Sequence, residues 1–144
     1  MYHEMPVVDD QSLKEILGLG PVAVIGCSRT PGKPSHDVPA YLLSQGYEIY
    51  PVNPHADEIF GRAVADSIVD IDEMISLVTV FRPSEEVPGI VSAILRRDDV
   101  RAIWLQLGIT HEAALREAEN AGLITVQDRC MKIEHARLFD AEPN

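Results

Sequence analysis

The sequence predicts an α/β fold: one domain with a mainly parallel sheet and helices on both of its faces. Short apolar runs alternate along the chain with stretches whose apolar residues recur at helical spacing, the pattern of strands joined by helices. Hydrophobic residues make up 46% of the chain and aromatic residues only 6%, which is typical of an aliphatic sheet core. A length of 144 residues is enough for one domain with a substantial core.

The predicted elements follow one another in a regular order. Strands are predicted at five apolar runs: residues 22–25, 47–52, 77–81, 100–107 and 123–126. Helices are predicted before and between them: a short one capped by Asp9 or Asp10, one from about residue 37 to 43, one capped by Ser84, and one over 110–121. Because right-handed crossovers join strands that alternate with helices, these elements predict a Rossmann-like domain with a parallel sheet.

Two prolines and one irregular segment complete this description. Pro39 and Pro88 are expected in the first turns of their helices, because a proline further along lacks the N–H that a helix needs.

Residues 56–71 are acidic and less regular, with a short strand or turn predicted around 61–64. We predict three regions: an N-terminal segment with a short helix over residues 1–21, the Rossmann-like domain over 22–138, and a C-terminal tail over 139–144.

Charge and cysteine content argue against several classes of function. A net charge of −11 opposes binding to nucleic acids or anionic membranes, since it repels polyphosphates at long range. Cys27 and Cys130 are far apart and form no CxxC pair, which favours the reducing cytoplasm over a disulfide scaffold. The N-terminus has no signal-peptide pattern, and no run approaches the roughly 20 apolar residues of a membrane span. We therefore expect a cytoplasmic protein, and leave open whether it is a homo-oligomer.

The stretch 22–35, which reads VAVIGCSRTPGKPS, is the most informative part of the chain. An apolar strand stops at Gly26 and opens into a loop of small, hydroxyl-bearing and basic residues before a helix. Proteins of the α/β class hold phosphate in such loops, where backbone N–H groups and the positive helix end face the anion. The loop is not the dinucleotide fingerprint GxGxxG, because Ser28 and Pro31 stand at its second and third glycine positions. The sequence therefore favours a phosphate-bearing nucleotide other than a nicotinamide one.

Residues that directly follow each strand are the candidates for the ligand site, because the carboxyl ends of parallel strands meet at one edge of the sheet. Three of the five strand-end loops carry cations: Arg29 and Lys33, Arg82, and Arg129 and Lys132. On an acidic protein these cations indicate an anionic ligand. Solvated loop charges are the alternative interpretation.

The end of the second strand argues against NAD. An Asp or Glu about 20 residues beyond the glycine loop normally holds the ribose of NAD. Here the strand ends in VNP (52–54), with no carboxylate before Asp57 and no arginine for the 2′-phosphate of NADP. Asn53 and Pro54 either form a simple turn, which both residues favour, or line an adenosine pocket.

No catalytic constellation is readable in the sequence. The five histidines have no metal-type spacing with cysteine or carboxylate, and no GxSxG elbow or Ser-His-Asp arrangement is found. His36 and His55 are kept as candidates because both lie by the predicted site. Cys27 and Cys130 follow strands at the same edge: an inert, hydrophobic role is favoured for both, and a reactive thiol is the alternative.

Five motifs resemble, in the same order, those of the small bacterial and archaeal CoA-binding proteins. They are GCSRTPGKPS (26–35), PVNP (51–54), VFR (80–82), IWLQLGI (103–109) and DRCMKIEH (128–135). These proteins are similar to the CoA-binding domain of the succinyl-CoA synthetase α subunit. The resemblance covers about residues 22–138 and implies a domain that binds coenzyme A at the strand ends.

The resemblance also implies which residues meet the ligand. The loop that holds the CoA phosphates in the synthetase domain corresponds to residues 28–31, and a synthetase lysine after the second strand corresponds to about Ala56. Lys33 or Arg82 would have to replace that lysine. The predicted cofactor-binding residues are Gly26, Ser28, Arg29, Thr30, Pro31, Lys33, Ser35, Asn53, Pro54, Phe81, Arg82, Leu105, Gln106 and Leu107.

We therefore expect a protein that binds coenzyme A or an acyl-CoA, without a metal and without catalytic activity of its own. Two alternatives stay open. A small NAD(P)-dependent redox or sensing domain would need the acidic residue that is missing after the second strand. An orphan subunit of an acyl-CoA ligase would need a partner that supplies the phosphorylated histidine and the ATP site.

Overall fold

A mainly parallel sheet is the centre of the fold, so the predicted α/β class is confirmed. The computed structural model describes residues 8–139. Within them the strands are β1 (Val22–Ile25), β2 (Ile49–Val52), β3 (Glu58–Ile59), β4 (Arg62–Ala63), β5 (Leu77–Val80), β6 (Ala102–Leu105) and β7 (Ile124–Val126). The helices are α1 (Asp10–Leu17), α2 (Pro34–Ser44), α3 (Val87–Ile94), α4 (Glu112–Asn120) and α5 (Met131–Phe139), with 3-10 turns at Ile68–Asp70 and Ser84–Glu86.

The order of the strands places a crevice at the carboxyl edge of the sheet. The five-stranded sheet has the order β2-β1-β5-β6-β7, and each neighbouring pair is parallel. Val22 of β1 is in register with Ile49 on one side and with Leu77 on the other. From β1 the chain moves outward to β2 and then returns to the opposite side of β1 for β5. The loops that leave β1 and β5 therefore diverge, and open α/β sheets bind ligands at such a point.

Helices cover both faces of this sheet. Helices α1, α2 and α5 pack on one face, where Val24 and Trp104 are fully buried. Helices α3 and α4 pack on the other face, against Ala23 and Ile103. Because successive residues of a strand point to opposite faces, each central strand contributes to both layers of the core. No helix within residues 8–139 is long and apolar enough to cross a membrane.

Helix α2 begins at Pro34, earlier than the predicted start at about residue 37. Pro39 consequently lies inside the helix, so the expectation that it occupies the first turn is wrong, whereas Pro88 does lie in the first turn of α3. A residue at position 39 would normally donate its N–H to the carbonyl of Ser35, and proline has none. The N–H of Ser28 donates to that carbonyl instead, at 3.0 Å. The loop after β1 is thereby tied to the helix that follows it.

Other differences from the predicted elements lie at the ends of the chain and of the strands. Helix α5 has no counterpart among the predicted elements, because its buried positions include the polar residues Glu134 and His135. The strand or turn predicted around 61–64 is the second half of a short hairpin of β3 and β4. Residues 1–7 of the predicted N-terminal segment and 140–144 of the predicted tail lie outside the described residues. The three predicted regions therefore stay a prediction.

A partly buried arginine fastens the segment between the hairpin and β5. Arg97, whose side chain is 10% exposed, donates from Nε and Nη2 to the two carboxylate oxygens of Asp99 at 3.0 and 2.7 Å. Its Nη1 donates to the carbonyls of Ile68 and Ile71, each at 2.7 Å, and Nη2 also donates to the carbonyl of Glu73 at 2.9 Å. These bonds use all five donors of a guanidinium. The Arg97 guanidinium also holds the pKa of Asp99 below its usual range.

We expect Arg97→Ala to lower the free energy of unfolding by about 2–4 kcal/mol, because it removes five hydrogen bonds, two of them to the carboxylate of Asp99. Arg96→Ala is the matched control, since Arg96 is the exposed neighbour of Arg97 and surface substitutions cost no more than about 0.5 kcal/mol. Urea unfolding measures both variants. Equal stability of the two variants would contradict the role given to Arg97.

Candidate functional site

A cavity of about 250 Å³ opens where the loops after β1 and β5 diverge. Its walls come from the ends of β1 and β2, the segment before the first 3-10 turn, the loop after β5 and one side of α3. The lining residues are Ile25, Gly26, Val52, Asn53, Pro54, His55, Asp66, Ser67, Ile68, Arg82, Glu86, Ile90 and Ala93. Four of the predicted site residues are among them: Gly26, Asn53, Pro54 and Arg82.

Gly26 brings two loops together at the edge of the cavity. Its φ is +85°, and a Cβ at this position would lie 2.8 Å from the carbonyl oxygen of Phe81 and 2.9 Å from Cδ of Arg82. Its N–H donates to the carbonyl of Val52 at 2.9 Å. The loop after β1 therefore contacts the ends of both neighbouring strands, and only a residue without a side chain fits there.

Asn53 forms the turn that was one of its two predicted roles, and it also lines the cavity. Its Oδ1 accepts the N–H of His55 at 2.8 Å, which is the turn expected of an Asn-Pro pair. Its Nδ2 donates to the carbonyl of Cys27 at 2.9 Å, so the turn is fastened to the loop after β1. The residue also lines the cavity, as does the exposed Pro54.

One wall of the cavity was not anticipated from the sequence. Ala65 forms an isolated parallel bridge with Val52, and its carbonyl accepts the N–H of Asn53 at 2.9 Å. This pairing carries Asp66, Ser67 and Ile68 to the end of β2. The only sequence signal there is a run of carboxylates over residues 57–73, and the simplest interpretation of such a run is a solvated surface. A single bridge between two residues produces no periodic pattern from which the sequence could predict it.

Arg82 reaches the cavity, and a carboxylate already holds it. Its Nε and Nη2 donate to Oε1 and Oε2 of Glu86 at 3.1 and 2.7 Å. The side chains are 46% and 44% exposed. The hydrogen bonds from Arg82 hold the pKa of Glu86 below its usual range, so Glu86 is ionised at neutral pH. Phe81, its predicted neighbour in the site, packs partly buried against the layer of α1, α2 and α5.

The loop after β1 lies beside the cavity and carries free cations. Within residues 8–139, the exposed side chains of Arg29 and Lys33 form no ion pair. Several of the loop's backbone donors are already used: the N–H of Thr30 donates to Oγ of Ser28 at 3.0 Å, and that of Gly32 to Oδ1 of Asp37 at 3.1 Å. Arg29 and Lys33 are therefore cations of this loop that an anion can reach.

The predicted contacts after β6 lie away from the cavity lining. Gln106 is buried: its Nε2 donates to Oγ1 of Thr79 at 2.6 Å, and its Oε1 accepts the N–H of Met131 at 3.2 Å. Leu105 is fully buried and Leu107 is 66% exposed. The side chain of Gln106 thus holds the sheet to the start of α5, and it is not open to a ligand.

The cations after β7 have partners of their own. Arg129 donates to Oε1 of Glu134 at 3.1 Å. Nζ of Lys132 lies 5.7 Å from the centre of the Tyr41 ring. The positive charge expected at this strand end is therefore partly neutralised within the protein.

Both cysteines pack in the apolar layer of α1, α2 and α5. Both are free, and burial raises the pKa of the Cys27 thiol to about 12. Cys130 is half-buried against the same apolar layer. Among residues 8–139, no group of three or more His, Cys, Asp and Glu side chains is arranged to hold a metal ion. Of the two candidate histidines, His55 lines the cavity, and His36 packs on the Phe60 ring with centroids 4.8 Å apart.

Comparison with known proteins settles the family. Residues 21–136 match the family described as CoA binding domain. The chain belongs to this CoA-binding domain family. An uncharacterised protein of Bacillus subtilis, YneT, is 38% identical over 125 residues, which cover 86% of this chain and 92% of YneT. The solved structure of a hypothetical protein from Pyrococcus horikoshii superposes with a TM-score of 0.88 at 33% identity, covering 96% of this chain and 99% of the other.

The CoA-binding domain is also related to acyl-CoA ligases. An ADP-forming acetate–CoA ligase of Methanocaldococcus jannaschii is 32% identical over 111 residues. The matched part covers 77% of this chain and 16% of the ligase. The chain thus spans a small part of the ligases that it matches.

We expect Gly26→Ala to lower the free energy of unfolding by about 2–4 kcal/mol, because left-handed strain of about 1–2 kcal/mol adds to displacement of the Phe81 carbonyl. Gly46→Ala is the matched control: its φ is +93°, and nothing lies within 4 Å of a Cβ built there. Denaturant unfolding measures both variants. Equal losses would show that backbone strain alone accounts for the effect.

Proposed function

We propose that the chain binds coenzyme A, or an acyl-CoA, at the carboxyl edge of its sheet and has no catalytic activity of its own. The observation that carries this proposal is the position of the cavity: it lies at the divergence of β1 and β5, inside the region that matches the CoA-binding domain family. The other supports are the composition of the cavity walls and the free cations beside it.

The walls suit the nucleoside end of the ligand. Ile25, Val52 and Ile90 supply apolar surface, while Asn53 and Ser67 supply polar groups. Small-molecule sites combine largely apolar walls with a few placed polar groups in this way. An adenosine needs such a mixture, because its ring is flat and weakly polar and its ribose carries hydroxyls.

The phosphates belong beside the cavity, at the loop between β1 and α2. Arg29 and Lys33 are exposed there and form no ion pair within residues 8–139. A hydrogen bond to a charged group contributes about 1.5–3 kcal/mol. Carboxylates further away than the Debye length of about 8 Å are screened at physiological salt. Local cations therefore outweigh the net charge of −11.

A nicotinamide dinucleotide is the second candidate, and one residue favours it. Asp66 brings a carboxylate into the cavity beside the end of β2, near the place where an NAD-binding domain keeps its ribose-binding carboxylate. The missing second and third glycines of the loop oppose this candidate, because the pyrophosphate of a dinucleotide needs close backbone approach there. NAD would use the carboxylate of Asp66 to bind its ribose, whereas CoA would not need this carboxylate. A titration of Asp66→Asn with both ligands therefore distinguishes them.

We expect CoA to bind more tightly than NAD, and dephospho-CoA more weakly than CoA. Lys33→Ala should weaken CoA binding by about five- to a hundredfold, as expected for a lost charge-assisted contact of 1–3 kcal/mol. Arg29→Ala should act in the same direction, less if only its backbone meets the phosphate. Asp66→Asn should not weaken CoA binding, whereas it should weaken NAD binding if NAD is the ligand. Isothermal titration calorimetry of the three ligands measures these effects.

Lys14→Ala is the matched control for the titration, because it removes the same charge from α1, outside the loops at the carboxyl edge. Equal affinity for NAD and CoA, or equal effects of Lys14→Ala and Lys33→Ala, would contradict the proposed site. A ligand that copurifies with the protein and is neither CoA nor an acyl-CoA would contradict the proposed function.

We expect no acyl-CoA formation when the purified protein is mixed with ATP, magnesium, CoA and short carboxylic acids. The physical reason is that, among the described residues, no side chain that could act as a base is hydrogen-bonded to Ser67 or His55 of the cavity, and the buried Cys27 is held as a thiol. Thioester formation, followed by mass spectrometry, measures the activity. Robust formation would favour the ligase alternative; formation only after a partner protein is added would favour the orphan-subunit alternative.

A further inference from the structure

The side chains that line the cavity carry more negative than positive charge, which is unfavourable for a phosphate. Of the residues that line it in the described part of the chain, Arg82 is the one lysine or arginine, and Asp66 and Glu86 are both carboxylates. Nε and Nη2 of Arg82 are bonded to the carboxylate of Glu86 at 3.1 and 2.7 Å. Arg82, one of the cations predicted to meet the ligand, is therefore already neutralised.

We propose that Glu86 competes with a phosphate of the ligand for Arg82, and that it thereby sets the affinity of the site for phosphate-bearing ligands. The identity of the ligand as CoA rests on the proposed function. The competition itself rests on the contacts of Arg82, Glu86 and Gly26.

The two anions compete because they use the same donors. Carboxylates and phosphates both bind a guanidinium through paired N–H···O bonds. A phosphate on the remaining edge of Arg82 would face the carboxylate of Glu86 a few ångströms away, and like charges at that distance repel. The ion pair between Glu86 and Arg82 must therefore break before Arg82 can stabilise the bound phosphate fully.

The exchange is cheap because the pair is exposed. Both side chains are close to half exposed, and exposed ion pairs contribute little to stability. Cδ of Arg82 lies over Gly26, against the space that a Cβ would fill. The stem of Arg82 is thus held at the rim while the guanidinium beyond it can turn from Glu86 towards a ligand.

Three single variants, one double variant and two probes test the competition. Glu86→Gln should tighten CoA binding by about two- to fivefold, the range that the strength of exposed ion pairs allows. Arg82→Ala should weaken it, and Glu86→Gln should give no gain in the Arg82→Ala background. Glu85→Gln is the matched control, because Glu85 is the exposed neighbour in the same turn, and it should leave the affinity unchanged. The affinity for inorganic pyrophosphate, the second probe, should change from variant to variant in the same order.

Each outcome decides between the ideas. A gain that persists in the Arg82→Ala background would overturn the competition, because Glu86 would then act only through general repulsion. Weaker binding by Glu86→Gln would overturn it as well, since Glu86 would then orient Arg82 for the ligand. If pyrophosphate follows the expected order and CoA does not bind at all, the competition stands and the proposed function fails. If CoA binds and none of the variants changes its affinity, the proposed function stands and the competition fails.

Discussion

The close approach of two backbones at Gly26 is the constraint on which the site depends. Because β1 and β5 are parallel neighbours, their chains leave the sheet side by side and then separate to opposite faces. At the point of separation the Phe81 carbonyl lies so close to Gly26 that a Cβ would be only 2.8 Å away. The cavity, the stem of Arg82 and the loop that leads to α2 all take their positions from this contact.

The sequence predicts those parts of the fold whose causes are local. The run VAVI is buried along its whole length, so its composition alone marks a central strand, and the glycine and hydroxyl residues after it mark the loop. Non-local contacts leave no such mark. Asp66 reaches the cavity through one bridge to β2, and Gln106 finds partners 25 and 27 residues away in the chain. A polar residue at a strand end therefore looks the same in the sequence whether it meets a ligand or the core.

Charge on this protein acts at two length scales. The net charge of −11 affects how quickly an anion approaches, because the field of the whole molecule steers encounters. In the proposed function, the affinity for an anion depends on single cations and on whether each of them is already paired with a carboxylate. Arg129 is paired with Glu134 and Arg82 with Glu86, so a tally of basic residues at the strand ends overestimates the positive charge that a ligand meets.

Pro39 affects the conformational entropy of the loop after β1. Since proline offers no N–H, Pro39 makes no helical bond to the carbonyl of Ser35 inside α2, and Ser28 donates to that carbonyl. The loop is therefore ordered by the helix before any ligand arrives. Association then does not bear the conformational cost of arranging that loop, which in mobile loops offsets part of the binding energy. A residue that ordinarily breaks helices here leaves a helix carbonyl that accepts the N–H of Ser28 from the loop after β1.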